Sequence, residues 1–337
     1  MTYEQAITTV EKHLQAIEYP TQAAPLYEPI AYLLALKGKK VRPALTLLAC
    51  DLFFRQEEDS TPCQSAVDMA LAWEIFHNFT LMHDDVMDKA DMRRGQPTVH
   101  RKWDENTAIL SGDAMLILAY QFVARAGAGI AGQARNDKPL QILLDLFSTT
   151  AAEICAGQQL DMAFESRRDV QEDEYLNMIR LKTAVLLGAS LKSGAIIGGA
   201  AATDADLLYR FGENLGIAFQ IQDDLLDVYG DTAVFGKKIG GDITANKKTY
   251  LLVNALNTAD ATLKKSLLLW LDYTGEESTK IGNVTNIYNR LGVREKACAA
   301  MENYFQRALE ALTAVNVPAE RKAVLRQLAK NLMLRQH

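Results

Sequence analysis

Apolar residues recur three and four positions apart over long stretches of the chain, which is the spacing of one face of an α-helix. Leu71, Ile75, Phe79 and Met82 form one such set. Residues 215–221 (LGIAFQI) also alternate with period two, but apolar positions continue at helical spacing on both sides of that run. A helix is therefore favoured there as well. The pattern predicts an all-α protein.

Polar stretches at residues 54–62, 131–139 and 230–248 interrupt the helical pattern and predict its main loops. No linker rich in Pro, Gly or Ser divides the chain, and no internal repeat of the kind that builds solenoids is evident. We therefore expect a single domain over residues 1–337, built as a bundle of long helices around a central cavity.

The composition is that of a globular protein, since 49% of the 337 residues are hydrophobic and 23% are charged. The formal net charge is −6. Nucleic-acid-binding domains usually carry a basic excess, so this charge argues against nucleic acid as a partner. An anionic ligand would have to meet local positive charge or a metal ion.

Neither the N-terminus nor the most apolar stretch predicts a targeting or transmembrane segment. The N-terminal sequence carries Glu4, Glu11 and Glu18 and lacks a basic segment followed by an apolar one, which is not typical of a secretory signal. Residues 184–202 nearly reach membrane-spanning length. Lys192 lies near the middle of that stretch, however, and favours a buried core helix over a transmembrane helix.

The cysteines are too few for a disulfide scaffold in a chain of this length, and they show no CxxC spacing. We therefore expect reduced thiols in a cytoplasmic protein. The cysteines are Cys50, Cys63, Cys155 and Cys298.

Two aspartate clusters share the pattern DDxxD, and the first comprises Asp84, Asp85 and Asp88 in LMHDDVMDKADMRRGQPT. Residues four apart on a helix share one face, so the carboxylates of Asp84 and Asp88 would repel each other unless a cation offset them. Carboxylate oxygens suit Mg²⁺, which also takes substrate phosphates and water as ligands. A single cluster of this kind is more often a solvated helix surface than a metal site.

The second cluster, in FQIQDDLLDVYGD, repeats the spacing, and both clusters lie in apolar helical sequence. Carboxylates are unfavourable to bury there without partners, so metal binding explains the two clusters better than solvation does. Neither has the glycine and terminal glutamate of a calcium-binding EF-hand loop. No HExxH or paired Cys/His set indicates zinc, and no GxxxxGK[ST] sequence indicates a nucleotide-binding P-loop. The second cluster consists of Asp223, Asp224 and Asp227.

Basic residues accompany both clusters at discrete points. Each of them alone is typical of a solvated surface charge, and a cation beside an aspartate cluster could form a salt bridge and nothing more. The residues are Lys39 and Arg42 in GKKVRP, Arg93 and Arg94 in RRGQPT, Lys182 in LKT, and Lys237 and Lys247 beyond the second cluster.

The motifs occur in an order that resembles the trans-isoprenyl diphosphate synthases, the polyprenyl synthetase family. The matches run from Gly38 to about Tyr250, whereas the two ends of the chain match in helical character only. The resemblance implies a bundle of long helices around a deep cavity, with both aspartate motifs at its mouth, in a homodimer. The matching segments are GKKVRP, HDDVMD with His77 before it, RRGQPT, GDAML, GQQLDM, LKTAVL, FQIQDDLLD, and the lysines of GKK and NKKTY.

The resemblance further implies a Mg²⁺-dependent trans-prenyltransferase, which condenses isopentenyl diphosphate with an allylic diphosphate head to tail and forms a trans double bond. The residues expected to bind isopentenyl diphosphate are Lys39, Arg42, His77 and Arg94. Those expected near the allylic diphosphate are Arg93, Lys182, Lys237 and Lys247, with Thr183 and Gln220 at the reacting centre. The expected Mg²⁺ ligands are Asp84, Asp88 and Asp223. A satisfied core histidine remains the alternative for His77.

Product length is expected to depend on the residues just before Asp84. Phe79 lies five positions earlier, roughly 7.5 Å along the helix. In the family, bulk at the fourth and fifth positions before the first aspartate limits elongation, and here Thr80 is small and Phe79 is large. The combination resembles a geranylgeranyl diphosphate synthase more than a farnesyl diphosphate synthase. Alternatively, Phe79 packs in the core, and Phe76 or Met82 limits the product.

Other functions remain open at this point. A longer-chain polyprenyl diphosphate synthase would share all the motifs, and a non-catalytic partner subunit would share the fold, although damaged motifs are typical of such subunits and none is visible. A terpene cyclase usually replaces the second DDxxD with a mixed motif. A purely structural helical protein does not account for the paired clusters and their basic partners together.

Overall fold

The computed structural model describes residues 1–54, 63–130, 138–230 and 239–333. The chain forms two compact units. Unit 1 comprises Met1–Ser148, Ala189–Leu208 and Asn316–Val324, and unit 2 comprises Thr149–Gly188, Tyr209–Val315 and Leu325–His337. The single domain expected over residues 1–337 remains a prediction.

The N-terminal part of the chain, up to residue 130, lies wholly in unit 1. Its helices pack around the long helix Gln64–Met87, which contacts each of the other α-helices in this part of the chain. The elements are α1 (Tyr3–Gln15), a short 3₁₀ turn (Thr21–Ala23), α2 (Ala24–Ala35), α3 (Val41–Phe53), α4 (Gln64–Met87), β1 (Met92–Arg93), β2 (Gln96–Pro97), α5 (Val99–Lys102) and α6 (Glu105–Ile130).

The remainder of the chain is also helical. Most boundaries between the units fall inside helices, whereas the boundary between Val315 and Asn316 falls between two helices. The elements are α7 (Lys138–Glu165), α8 (Glu172–Ile179), a π-helical turn (Arg180–Ala184), α9 (Val185–Ile197), α10 (Ala202–Tyr229), α11 (Gly241–Thr244), α12 (Tyr250–Thr258), α13 (Ala261–Leu271), α14 (Glu277–Leu291), α15 (Val293–Ala314) and α16 (Ala319–Met333). The all-α prediction is confirmed; the described strands are the two-residue pair β1 and β2.

Helix α4 carries the core of unit 1 because it is apolar around most of its circumference until its last two turns. Trp73 and Phe76 are fully buried. The Trp73 ring stacks on Phe147 with 4.8 Å between centroids, and its indole N–H donates to Ser193 Oγ at 2.9 Å. A buried indole N–H needs an acceptor. This hydrogen bond supplies one and also fixes the orientation of the Trp73 ring.

Unit 2 has its own core, in which α12 is buried at every position from Tyr250 to Leu256. The helix begins at Thr249, whose hydroxyl accepts a hydrogen bond from the backbone N–H of Leu252 at 3.2 Å. This cap satisfies one of the N–H groups that the first turn of a helix leaves without an intrahelical partner. The core also includes Ile179 and Ile221, from the segments that carry the second aspartate cluster and its neighbours.

The apolar stretch at 184–202 is a buried helix, as predicted, but the helix is shorter than the stretch. It ends at Ile197, and Gly199 follows with φ +87°. A left-handed residue cannot continue an α-helix, and glycine adopts that conformation without strain. The Lys192 ammonium pairs with Asp206 Oδ1 at 2.7 Å.

Two other helical segments, Glu105–Ile130 and Pro139–Glu165, are long and apolar enough to cross a membrane by length and composition alone. Core helices of globular proteins pass the same test. The prediction that the chain lacks a transmembrane segment therefore remains a prediction.

Candidate active site

The first aspartate cluster occupies the C-terminal end of α4, where Asp88 is the C-cap residue. Asp85 is buried, and the Arg93 guanidinium holds its carboxylate with Nε donating to Oδ1 at 2.9 Å and to Oδ2 at 2.8 Å, and Nη2 lying 2.7 Å from Oδ1. This paired contact compensates the burial of the charge. Asp84 is half-buried and Asp88 is exposed.

Arg93 and Arg94 sit on the hairpin of β1 and β2, in which Arg93 pairs with Gln96. The two turn residues, Arg94 and Gly95, have φ of +53° and +76°, the left-handed values that a two-residue hairpin turn requires. The Arg94 guanidinium lies against Gly38, where a Cβ would come within 3.0 Å of Cζ. A side chain at Gly38 would therefore displace this guanidinium.

Arg42 and His77 are in direct contact, since Arg42 Nη1 lies 3.2 Å from His77 Nε2 and donates to it. Burial, followed by the positive charges of Arg42, Arg94 and Arg93, lowers the pKa of His77 well below its usual value. The imidazole is therefore neutral at pH 7, with its proton on Nδ1. Burial also lowers the pKa of Arg42 to about 10, which leaves the guanidinium charged.

Lys39, Phe79 and Thr80 are also in unit 1, with Lys39 exposed and the other two half-buried. The Phe79 ring packs against Phe76 at 5.6 Å and against His83 at 4.8 Å between centroids. The ring thus belongs to an aromatic cluster on α4, and its role in product length stays a prediction.

The second aspartate cluster lies near the end of α10 in unit 2. Asp224 is buried, and its Oδ2 accepts hydrogen bonds from the Tyr175 hydroxyl at 2.5 Å and from the backbone N–H of Tyr250 at 2.7 Å. Burial raises the pKa of Asp224 to about 7, against the opposing effect of these donors. Asp227 Oδ2 accepts from the backbone N–H of Asp242 at 3.0 Å, while Asp223 is half-buried.

Lys182 and Thr183 lie in the π-helical turn, an irregularity that occurs frequently at functional sites. Lys182 Nζ donates to Asp161 Oδ2 at 2.5 Å, and the Thr183 hydroxyl lies 3.4 Å from Gln220 Oε1. A small cleft of about 50 Å³ joins these side chains to the second cluster. It is lined by Asp161, Tyr175, Met178, Ile179, Lys182, Thr183, Gln220, Asp224, Lys247 and Lys248.

Lys247 lies at the rim of this cleft, with its side chain half exposed and Nζ 4.0 Å from Asp242 Oδ1. Burial lowers its pKa, but the charges of Asp242, Asp224, Asp161 and Asp223 outweigh burial and raise it overall. Lys247 is therefore a permanent cation beside the second cluster. Lys237 lies outside the described residues.

The carboxylates of the two clusters fit Mg²⁺ only if substrate phosphates or water supply some of the ligands of the ion. Arg93 already holds the carboxylate of Asp85, and Tyr175 already holds that of Asp224. Asp84, Asp88 and Asp223 lie beside them in the same clusters, and their role as Mg²⁺ ligands remains a prediction. In the described ranges, no three Asp, Glu, His or Cys side chains converge to form a complete metal site. Mg²⁺ is commonly held by one or two carboxylates together with substrate phosphates and water, so an incomplete protein site is compatible with it.

A sequence model of the family described as Polyprenyl synthetase matches residues 23–291. That range includes both aspartate clusters and all the predicted basic residues. The chain belongs to the polyprenyl synthetase family. The family expectation drawn from the ordered motifs is thereby confirmed, and the activity is that of an isoprenyl diphosphate synthase.

Relatives in this family cover most of the chain. A geranylgeranyl diphosphate synthase of Methanosarcina mazei is 40% identical over 237 residues, 70% of this chain and 68% of the relative. A short chain isoprenyl diphosphate synthase of Methanothermobacter thermautotrophicus is 36% identical over 306 residues, covering 91% and 89%. The crystal structure of geranylgeranyl pyrophosphate synthase from Corynebacterium glutamicum, complexed with isoprenyl diphosphate and magnesium, superposes with TM-score 0.83 at 26% identity, covering 99% of this chain and 98% of that one.

Sequence reasoning missed several side chains that hold the predicted residues of this polyprenyl synthetase in place. Asp161 lies within the motif GQQLDM, so that motif could have pointed to it as a partner for a lysine. Tyr175 lies 49 positions from Asp224 in the sequence, and no local pattern links them. Such long-range partners become visible only when the chain is folded.

We predict that His77 makes the stability of the enzyme fall with decreasing pH. The unfolded chain protonates its imidazole below about pH 6.5, whereas the folded chain, with its lowered pKa, does not. The contribution is therefore present above pH 6.5 and lost as the pH falls below it, by up to about 1.4 kcal/mol per pH unit. Urea unfolding at pH 7.5, 6.5 and 5.5 should show a steeper decline for the parent than for His77→Gln. Equal declines would contradict a neutral, buried His77.

We predict that Gly157→Ala destabilises the turn that carries Lys182. A Cβ at Gly157 would lie 2.4 Å from the backbone N of Lys182, so the turn or α7 has to move. Overpacking of this kind lowers the free energy of unfolding by about 1–3 kcal/mol, measurable by urea denaturation. The control is Gly282→Ala on α14, where no atom lies within 4 Å of the added Cβ. The control should be neutral or stabilising by up to about 1 kcal/mol, and equal losses in both variants would refute the close contact.

Proposed function

We propose that this isoprenyl diphosphate synthase condenses isopentenyl diphosphate with an allylic diphosphate and releases a short-chain product, geranylgeranyl or farnesyl diphosphate. One observation carries the proposal: two DDxxD clusters of identical spacing, each with its middle aspartate buried and hydrogen-bonded within the protein. Each cluster thereby keeps its first aspartate half-buried at the end of a helix, with cations near it. The names of the relatives agree with a short-chain product.

We propose Mg²⁺ as the cofactor, held by Asp84 and Asp88 of the first cluster and by Asp223 of the second. The carboxylate ligands support this choice, as does the magnesium bound in the Corynebacterium glutamicum relative. Bound Mg²⁺ would neutralise the negative charge that develops on the departing diphosphate. The cations of the chain act in the same direction, with Arg93, Lys182 and Lys247 approaching the allylic diphosphate, together with Lys237 from outside the described residues.

The basic residues of unit 1 are proposed to bind the other substrate. Arg42 and Arg94 provide planar guanidinium groups suited to a diphosphate, and the neutral His77 adds a hydrogen bond rather than a charge. Lys39 is exposed and supplies a flexible cation to the same substrate. With isopentenyl diphosphate held there, its C4 double bond attacks the allylic carbocation, and the released diphosphate takes the proton that is lost.

The reacting centre is proposed to include Thr183 and Gln220. The irregular turn aims the Thr183 hydroxyl at the amide of Gln220, and Gln220 Nε2 in turn lies 3.4 Å from Asp224 Oδ1. A line of fixed dipoles of this kind stabilises charge that develops close by without having to reorganise.

Assembly as a homodimer and a cytoplasmic location are likewise proposals. Helix α6 exposes Ile109, Leu110 and Ile117, whose exposed fractions are 45%, 60% and 62%. Apolar side chains clustered on one exposed helix are typical of surfaces that associate with another chain. The unpaired cysteines agree with a reducing compartment.

We predict that Asp84→Ala and Asp223→Ala each lower turnover by about 100-fold or more, because each removes a carboxylate proposed to hold Mg²⁺. The assay supplies isopentenyl diphosphate, one allylic primer at a time and Mg²⁺, and measures the prenyl product. Circular dichroism should show the helical content of the parent in both variants. The control Asp206→Ala removes an exposed aspartate paired with Lys192 and should keep full activity. If either Asp84→Ala or Asp223→Ala condensed the substrates at the rate of the parent, that aspartate would not be part of the proposed Mg²⁺ site.

We predict that Phe79→Ala lengthens the product by at least one isoprene unit, because it deletes the bulk proposed to stop the growing chain. Product length is measured by chromatography after dephosphorylation. Phe164→Ala is the control, since it removes a buried phenylalanine from the core of unit 2 instead. If Phe79→Ala gives the product of the parent, the ring is only a member of the aromatic cluster on α4.

A further inference from the structure

Beneath the proposed isopentenyl diphosphate site lies a buried ion pair between Lys40 and Glu74. Lys40 Nζ lies 2.8 Å from Glu74 Oε1, and both side chains are 3% exposed. The same Oε1 accepts a second hydrogen bond, from Asn78 Nδ2 at 2.9 Å. Asn78 Nδ2 also donates to the backbone O of Glu74 at 2.8 Å, so α4 itself fixes the orientation of the amide.

The sequence places this pair among the predicted ligand-binding residues. Lys40 stands between Lys39 and Arg42, and it caps α3 with a left-handed backbone, φ +46°. Glu74 stands three positions before His77, about one helical turn along α4. The carboxylate of Glu74 is thus one turn away from the imidazole that Arg42 contacts.

Arg42 and Arg94 lack a carboxylate partner in the part of the chain that the structure describes. Arg42 donates to His77, and its Nε is buried without a hydrogen-bond acceptor there. Arg94 reaches the backbone O of Leu36 at 3.4 Å. Burial lowers the pKa of both guanidinium groups, and the negative charge of Glu74 raises the pKa of each by a smaller amount. Asp85 acts on Arg94 in the same direction but is already paired with Arg93. Glu74 lies one helical turn from the imidazole that Arg42 contacts, so it is the carboxylate best placed to pair with either arginine.

We propose that Lys40 is a positioning residue that occupies Glu74 and so keeps Arg42 and Arg94 available for the diphosphate of isopentenyl diphosphate. A buried carboxylate needs a cation or hydrogen-bond donors. Without Lys40, Glu74 takes an arginine as its partner, and the site loses a guanidinium to an internal salt bridge. Lys40 thus acts through other side chains and touches no substrate. The inference rests on the proposed role of Arg42 and Arg94.

The decisive variants are Lys40→Met, Glu74→Gln and the double variant with both changes. Lys40→Met should raise KM for isopentenyl diphosphate about tenfold, the size of a typical coupling between neighbouring groups, and leave KM for the allylic primer and kcat unchanged. The double variant has lost the same ion pair but has no carboxylate to capture an arginine. Its KM for isopentenyl diphosphate should return to that of the parent.

A merely structural ion pair makes the opposite prediction. If the pair served stability alone, Lys40→Met and the double variant would both have a lower melting temperature than the parent, but the same KM for isopentenyl diphosphate as the parent. That result would overturn the proposal. Lys192→Met is the control, because it breaks another lysine–carboxylate pair of unit 1, the more exposed one between Lys192 and Asp206, and should change neither KM. If Lys40→Met does not fold, Lys40→Gln keeps a donor to Glu74 without its charge and should show the same KM effect in smaller degree.

Binding of inorganic pyrophosphate without metal separates this proposal from the proposed function. Calorimetry in the presence of a chelator should show weaker binding by Lys40→Met than by the parent, with affinity restored in the double variant. That ordering supports the role of Lys40 even if the parent were to condense no prenyl substrates. Equal pyrophosphate affinities in the parent and Lys40→Met would overturn it, whatever the turnover of the parent.

Discussion

A carboxylate that leaves water must be given a cation or hydrogen-bond donors, and the segments that carry the aspartate clusters are arranged around this requirement. Two carboxylates of α4 have a cation as their partner: Asp85 pairs with Arg93, and Glu74 pairs with Lys40. On α10, the carboxylate of Asp224 accepts hydrogen bonds from the Tyr175 hydroxyl and from the backbone N–H of Tyr250. Each internal contact fixes one carboxylate, so the neighbouring aspartates are oriented by a rigid helix end.

The same requirement divides the carboxylates of each cluster into two kinds. Asp85 and Asp224, the middle residues, are held by the protein and connect each cluster to its own unit. Asp84 and Asp223, the first residues, are half-buried, and a hard cation bound with substrate phosphate is a suitable partner for them. The repeated DDxxD spacing thus lets each cluster hold one carboxylate inside the protein and turn another toward the proposed ion, because adjacent residues on a helix point in different directions.

The cations are also positioned by backbone geometry. The hairpin turn at Arg94 and Gly95 brings Arg94 against Gly38, and the π-helical turn places Lys182 next to Asp161. Local irregularities therefore occur where a diphosphate is proposed to bind, whereas the regular helices around them build the cores. The backbone of Lys182 in this turn lies so close to the motif glycine Gly157 that a side chain has no room there.

The sequence by itself determined the helical class and the family, because helical periodicity is local and the ordered motifs are specific. It also indicated the aspartates and most of the cations as candidates. It placed the end of the buried helix at 202 rather than Ile197, since composition does not reveal the left-handed turn at Gly199. Only the tertiary structure decided the partners, such as Tyr175 for Asp224 and Lys40 for Glu74, because these contacts join residues 49 and 34 positions apart. Hydrogen bonds at that separation depend on packing, which local sequence pattern does not encode.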